Sequence, residues 1–183
     1  MGTYKIALIV GSIRRDSLNK KLAQAMVRLA PEELAFTTVR IDDLPLYSED
    51  VEADPDIAVL RFRGEIKSAQ GFVFVTPEYN RSIPGVLKNA IDVGSRPRTE
   101  SGWTLKPAGV LGLSTGTAGT AAAQQHLRNI LAALNVFVLA QPAAFIQARE
   151  GLFDEEGNIS PGSEPFFRGW MDAYLAWVKR FAG

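Results

Sequence analysis

The 183-residue chain has 46% apolar and 22% charged residues, which fits one globular domain of ordinary size and excludes a disordered or bilayer-embedded chain. Twenty Lys and Arg balance twenty Asp and Glu, and this formal net charge of zero speaks against a nucleic-acid-binding domain, which shows a basic face. The absence of cysteine excludes disulfides, thiol catalysis, iron–sulfur clusters and cysteine-ligated zinc together, so any redox chemistry has to come from a bound cofactor.

Short β-branched runs alternate along the chain with segments of helical period, the pattern of a parallel sheet covered on both faces. The first run, residues 5–10, passes at once into G-S-I-R-R-D-S-L-N, a loop crowded with hydroxyls and arginines. A helix over 18–29 follows and closes before Pro31, then a strand over 35–41. The next helix is expected behind Asp54, with Pro55 at its first position and Ile57, Leu60 and Ile66 on its buried side. A strand over 71–75 leads to a third helix, behind Ser82 or Ile83 with Pro84 at its first position, running to about Val93. The polar stretch 94–106, with its isolated Trp103, reads as a mobile lid or a subunit contact. Strand 108–113, an alanine-rich helix over 120–134 and strand 136–140 come next. After the S-P-G-S-E-P breaker, the last helix spans 164–181 and carries Phe166, Phe167, Trp170, Tyr174, Trp177 and Phe181 as a core or interface stripe.

Five strands with intervening helices predict one α/β domain over residues 1–183, a flavodoxin-like three-layer sandwich whose five-stranded parallel sheet has the order 2-1-3-4-5. That order gathers three loops on one sheet edge. In the first, Gly11 allows a sharp exit from the strand, while Ser12, Ser17 and Asn19 offer short donors and Arg14 a planar fork for phosphate oxygens. Arg14, Arg15, Lys20 and Lys21 against Asp16 put three excess positive charges at a helix N-terminus, where cations are unfavourable unless an anion binds or the side chains bend into solvent. The loop lacks G-x-G-x-x-G and G-K-[ST], which disfavours an ordinary Rossmann dinucleotide site or an ATPase.

The second loop, T-P-E-Y-N-R-S-I, is at minimum a turn, but Tyr79 suits the rim of an aromatic ligand. Glu78 either orients neighbouring backbone groups or Arg14, or is simply solvated. The third, S-T-G-T-A-G, supplies backbone N–H groups to a planar ligand or is an ordinary turn with Thr117 or Thr120 as N-cap. Together, a phosphate cradle, an aromatic rim and a backbone-lined slot fit flavin mononucleotide (FMN). His126, the only histidine, reads as structural or interfacial.

On G-S-I-R-R-D-S-L-N, D-D-L-P-L-Y-S-E-D-V, P-E-Y-N-R-S-I-P-G-V-L-K-N-A-I-D and Q-H-L-R, the chain resembles the NADPH-dependent FMN reductase family, especially its chromate and quinone reductase branch. The resemblance implies a flavoprotein oxidoreductase holding the FMN phosphate with Ser12, Arg14, Ser17, Leu18 and Asn19. It implies a flavin ring bordered by Pro77, Glu78, Tyr79 and Asn80, with Ser114, Thr115 and Gly116 on the far side; among backbone donors that could tune the ring near N5, the Asn80 N–H is the first candidate. NADPH or NADH is the implied donor, and quinones, then chromate, azo or nitro compounds, the acceptors. Arg81, Arg96 and Arg98 are candidate cations for an oxyanion acceptor, or solvated charges. No side chain is required as an acid–base catalyst, and no metal is expected. A homodimer or homotetramer is implied, and Gly119-Thr120 stands where relatives often show Gly-Gly. The alternative is a flavodoxin-type electron carrier, which is usually acidic around its flavin. The N-terminus shows no signal-peptide plan, and Ile6 stands where a myristoylation motif requires Ser or Thr, so a cytoplasmic location is expected, with no membrane or nucleic-acid partner.

Overall fold

The computed structural model describes residues 2–181. Strands β1 (Tyr4–Val10), β2 (Leu34–Thr38), β3 (Gly71–Val75), β4 (Pro107–Ser114), β5 (Phe137–Val138) and β6 (Ala144–Gln147) alternate with helices α1 (Leu18–Leu29), α2 (Ile57–Ser68), α3 (Gly85–Gly94) and α4 (Ala121–Ala133), and α5 (Glu164–Phe181) closes the chain. The strands run parallel in the order β2-β1-β3-β4-β5, as the alternation predicts, and β6 adds a sixth. Both β5 and β6 pair with β4, at Pro107↔Phe137 and Leu111↔Ala144 respectively. They are two halves of one edge strand, and the predicted run 136–140 caught only the first. Pro142, which has no N–H to give a ladder, lies in the break.

Alternation of side chains splits the core into two layers. Ile6, Leu8 and Val10 of β1 pack with Val73 and Val75 against α1 and α5. Ala7 and Ile9 face the other way with Phe72 and Phe74, against α2, α3 and α4. The aromatic stripe of α5 is core: Trp170 stacks on Tyr174 with centroids 5.6 Å apart, and the buried Tyr174 hydroxyl donates to Phe72 O at 2.9 Å.

Some expectations shift for identifiable reasons. The β1–β2 ladder ends at Leu8↔Thr38, yet Val39 and Ile41 stay buried, so their apolar character records burial and not strand. Helix α2 starts at Ile57 with Asp56 as cap, its carboxylate accepting from Ala58 N at 2.7 Å, so neither Asp54 nor Pro55 opens it. Its buried stripe is Val59, Phe62 and Ile66, spaced three and four residues apart, whereas Ile57 and Leu60 face solvent. Pro84 is the N-cap of α3, with extended backbone (ψ 144), rather than its first turn. The stretch after α3 is anchored and not a free lid. Trp103 is fully buried with ring centroids 4.8 Å from Phe72 and 5.8 Å from Phe74, and its indole N–H donates to Ile91 O.

Candidate functional site

All strands being parallel, the loops that follow β1, β3 and β4 open on one edge of the sheet, at the crevice where the chain order reverses between β1 and β3. The first loop leaves β1 through Gly11, whose N–H donates to Val75 O at 2.9 Å. A Cβ there would lie 2.9 Å from Thr76 Oγ1 and 3.0 Å from Leu87 Cδ2, so any larger residue would have to displace these side chains. Ser17 caps α1, its hydroxyl accepting from Lys20 N at 3.3 Å. No acidic residue stands in the first turn of α1, and the leading N–H groups of the helix have no intrahelical partner. Ser12 and Ser17 are buried beside them, while Arg14 and Arg15 are exposed.

Asn19 is buried and already committed to the scaffold. Its Nδ2 donates to Leu113 O at 2.8 Å and its Oδ1 accepts from Leu113 N at 3.0 Å, which ties the start of α1 to the end of β4. One Nδ2 hydrogen remains for other use. Of the four cations around the loop, Lys21 turns away, its Nζ 4.6 Å from the centroid of the Phe153 ring.

The second loop is a tight turn in which Tyr79 and Ser82 exchange both backbone hydrogen bonds, at 2.9 and 3.0 Å. Asn80 (φ 52) and Arg81 (φ 64) both take left-handed backbone, the pattern of a type I′ turn. Tyr79 is 48% exposed. Glu78 is not solvated and does not reach Arg14. Its Oε2 accepts from Ala122 N at 3.0 Å and Ala123 N at 3.1 Å, and its Oε1 lies 3.4 Å from Arg81.

That carboxylate supplies the cap that α4 lacks locally. Thr120 occupies the N-cap position, but its side chain caps nothing; its Oγ1 instead accepts from Gln124 Nε2 at 2.9 Å. The third loop thus begins at Ser114, whose hydroxyl donates to Gly119 O, and ends on a helix held from the second loop. Gly119 has φ 59, and a Cβ on it would sit 2.7 Å from Phe145 C, so glycine is required there by both conformation and space. Thr115 and Gly116 are exposed. His126 has a structural place, its Nδ1 2.9 Å from Ser82 Oγ, a second tie between α4 and the second loop. Sequence reasoning did not find these ties, because Glu78 and Ala122 or His126 and Ser82 meet only through the fold.

The three arginines considered for an oxyanion divide. Arg81 lies in the second loop, 79% exposed at its side chain. Arg96 is held at Tyr47, its Nε donating to the phenol oxygen at 2.7 Å, with Glu52 at 3.2 Å. Within one chain, Arg96 and Arg98 follow the C-terminus of α3, which leads away from the loop edge. Among the described residues no cluster of His, Cys, Asp or Glu could hold a metal ion, and no helix is long and apolar enough to cross a membrane.

The chemistry of the first loop suits a phosphate monoester, with two buried hydroxyls and free helix N–H groups meeting a locally basic segment and no carboxylate in the helical turn. The remaining loops add an amphipathic ring at a rim and a glycine-containing wall, a donor set that fits FMN. A family model described as NADPH-dependent FMN reductase matches residues 4–150. A quinone reductase of Pseudomonas putida is 46% identical over 177 residues, 96% of this chain and 95% of that protein. A 2-hydroxy-1,4-benzoquinone reductase of Burkholderia sp is 48% identical over 177 residues, 96% of each chain. Among solved structures, the flavoenzyme NAD(P)H:(acceptor) oxidoreductase FerB of Paracoccus denitrificans superposes with a TM-score of 0.94 at 38% identity, covering 98% of this chain and 99% of that one.

Proposed function

Since the chain belongs to the NADPH-dependent FMN reductase family, we propose that its three loops hold FMN and that electrons pass through the bound flavin from NAD(P)H to quinones. The observation that carries this reading is the convergence of a first helical turn free of acidic residues, an exposed tyrosine turn and a small-residue wall on one sheet edge. The names of the P. putida, Burkholderia and Paracoccus proteins support the quinone acceptor and the nicotinamide donor.

When bound, FMN supplies the chemistry, taking hydride from NAD(P)H and delivering electrons to the acceptor. The chain binds and orients. Ser12, Ser17 and the N–H groups of Leu18 and Asn19 receive the phosphate, and Arg14 adds a charge-assisted fork from the exposed side. Asn19 acts mainly by fixing the loop to β4. Pro77, Glu78, Tyr79 and Asn80 border the ring on one side and Ser114, Thr115 and Gly116 on the other. The Asn80 N–H, which the Tyr79–Ser82 turn leaves free, would be available to donate to the bound flavin ring.

Donor and acceptor would react with the bound cofactor in turn, which gives ping-pong kinetics. Chromate, azo and nitro compounds are secondary acceptors, with Arg81 as the cation for an oxyanion. Assembly into a homodimer or homotetramer is supported by four large apolar side chains left in solvent, Leu46, Val51, Ile57 and Leu60. Stopped-flow spectroscopy without oxygen tests the reading: NADPH should bleach the FMN-loaded protein, a quinone should restore the colour, and steady-state double-reciprocal lines should run parallel. Loaded protein that neither nicotinamide bleaches would be a flavodoxin-type carrier. Protein that takes up no FMN would overturn the cofactor assignment.

A further inference from the structure

The second loop is fastened to α4 at both of its ends. At the near end, Glu78 accepts from the N–H groups of Ala122 and Ala123 at 3.0 and 3.1 Å. At the far end Ser82 Oγ lies 2.9 Å from Nδ1 of His126, which follows Ala122 by one helical turn. A helical side chain leans toward the N-terminus of its helix, so the imidazole stands over the turn that Glu78 caps. The two ties differ in their surroundings. The Glu78 side chain is 10% exposed, whereas His126 is exposed and water competes for its bond, so the second tie adds little to stability. What it fixes is a position.

That position matters because of what lies between the ties. Asn80 (φ 52) and Arg81 (φ 64) both hold left-handed backbone, which a Cβ disfavours and which persists only where the surroundings impose it. Arg81 lacks even the short polar side chain that eases this conformation for asparagine. Tyr79 and Ser82 exchange both backbone hydrogen bonds across the turn, so they are cross-strand neighbours whose side chains leave on one face. The Ser82–His126 pair thus stands on the same face as the Tyr79 ring, the aromatic border of the proposed flavin site. With the imidazole hydrogen on Nε2, the serine hydroxyl donates to Nδ1 and is no longer free to rotate.

We infer that His126 is a positioning residue for the reaction, acting through Ser82 to hold the Tyr79–Asn80 turn against the ring end of the flavin. The inference rests on the flavin reading and gives His126 no contact with the cofactor. In a fluorescence titration His126→Ala should weaken FMN binding about threefold to tenfold, the scale of one neutral hydrogen bond. Its visible absorption band should move toward that of free FMN, while the urea midpoint before FMN is added stays at the parent value. His126→Asn carries an acceptor close to the place of Nδ1 and should restore affinity and spectrum; His126→Gln carries its amide near the place of Nε2 and should not. The Ser82→Ala, His126→Ala double variant should bind FMN no more weakly than the weaker single variant, since both changes break the same bond. Parent-like affinity and spectrum in His126→Ala, equal behaviour of His126→Asn and His126→Gln, or additive losses in the double variant would each overturn the inference and leave the flavin site standing. A loss of affinity matched by a fall in the urea midpoint would make the residue structural only, which overturns it too. A parent protein that takes up no FMN would overturn the flavin reading itself, and this inference with it.

Discussion

Glu78 joins the second loop to the first turn of α4 through two backbone N–H groups, and a carboxylate is favoured there by the partial positive charge of a helix start. Its side chain is only 10% exposed, so solvent cannot replace the bonds fully. Glu78→Ala should lower unfolding stability by about 1–2 kcal/mol, the range for a lost N-cap. Glu78→Gln keeps an acceptor and should lose less than Glu78→Ala; a larger loss in urea titration would contradict the capping role. Arg14→Ala should weaken FMN binding by about tenfold or more, as for a lost charge-assisted contact, with the far-ultraviolet spectrum unchanged. Affinity equal to the parent in a fluorescence titration would remove Arg14 from the phosphate site. The types and positions of these side chains are legible along the chain, because G-S-I-R-R-D-S-L-N and P-E-Y-N-R are local patterns. Their partners are not. Glu78 meets α4, and Asn19 meets Leu113 94 residues away, only because parallel strands bring those loop roots side by side.

Helix α2 shows the same division at the scale of an element. A helix beginning behind Asp54 is readable from its period, but its orientation is set by Val59, Phe62 and Ile66 packing on the sheet, and the competing Ile57 and Leu60 are left outside. Its C-terminal end is held by Lys106, whose ammonium donates to Ile66 O at 2.8 Å and Lys67 O at 2.9 Å and lies 5.5 Å from the Phe72 ring centroid. Terminal carbonyls and an aromatic face favour the charged form, yet burial dominates and, with a smaller push from Lys67, lowers the Lys106 pKa from 10.5 to about 8. Below about 8 the folded and unfolded chains both hold the proton, so the burial cost is fully present. Between about 8 and 10.5 the folded chain sheds it while the unfolded chain keeps it, so the stability attributable to this group rises with pH. Thermal midpoints of the parent, compared with Lys106→Met across that window, should therefore improve as pH rises. A constant difference would show that the carbonyls hold the ammonium charged throughout.

At the scale of the molecule, the sheet order follows from strand–helix alternation, but the broken edge strand and the outer surface do not. Ala144–Gln147 is too short to announce itself, and it exists as a strand because Leu111–Ser114 of β4 has an open side for it. Surface apolar residues are equally silent in sequence, since Leu46 and Val59 look alike until packing separates them: Leu46 is 84% exposed and Val59 is buried. Leu46 and Val51 line a hollow of about 310 Å³ between the chain after β2 and α2, and Asp56, the cap preceding Ile57, lines it too. Apolar groups this exposed are costly to leave in water, which makes this face the first to test for the proposed association of copies. The Leu46→Glu, Ile57→Glu double variant places charges in the patch without touching either core layer or the three loops. Light scattering should find the parent as a dimer or tetramer and the variant at a smaller size, with FMN content equal to the parent. A variant of unchanged mass would move the subunit contact to another face.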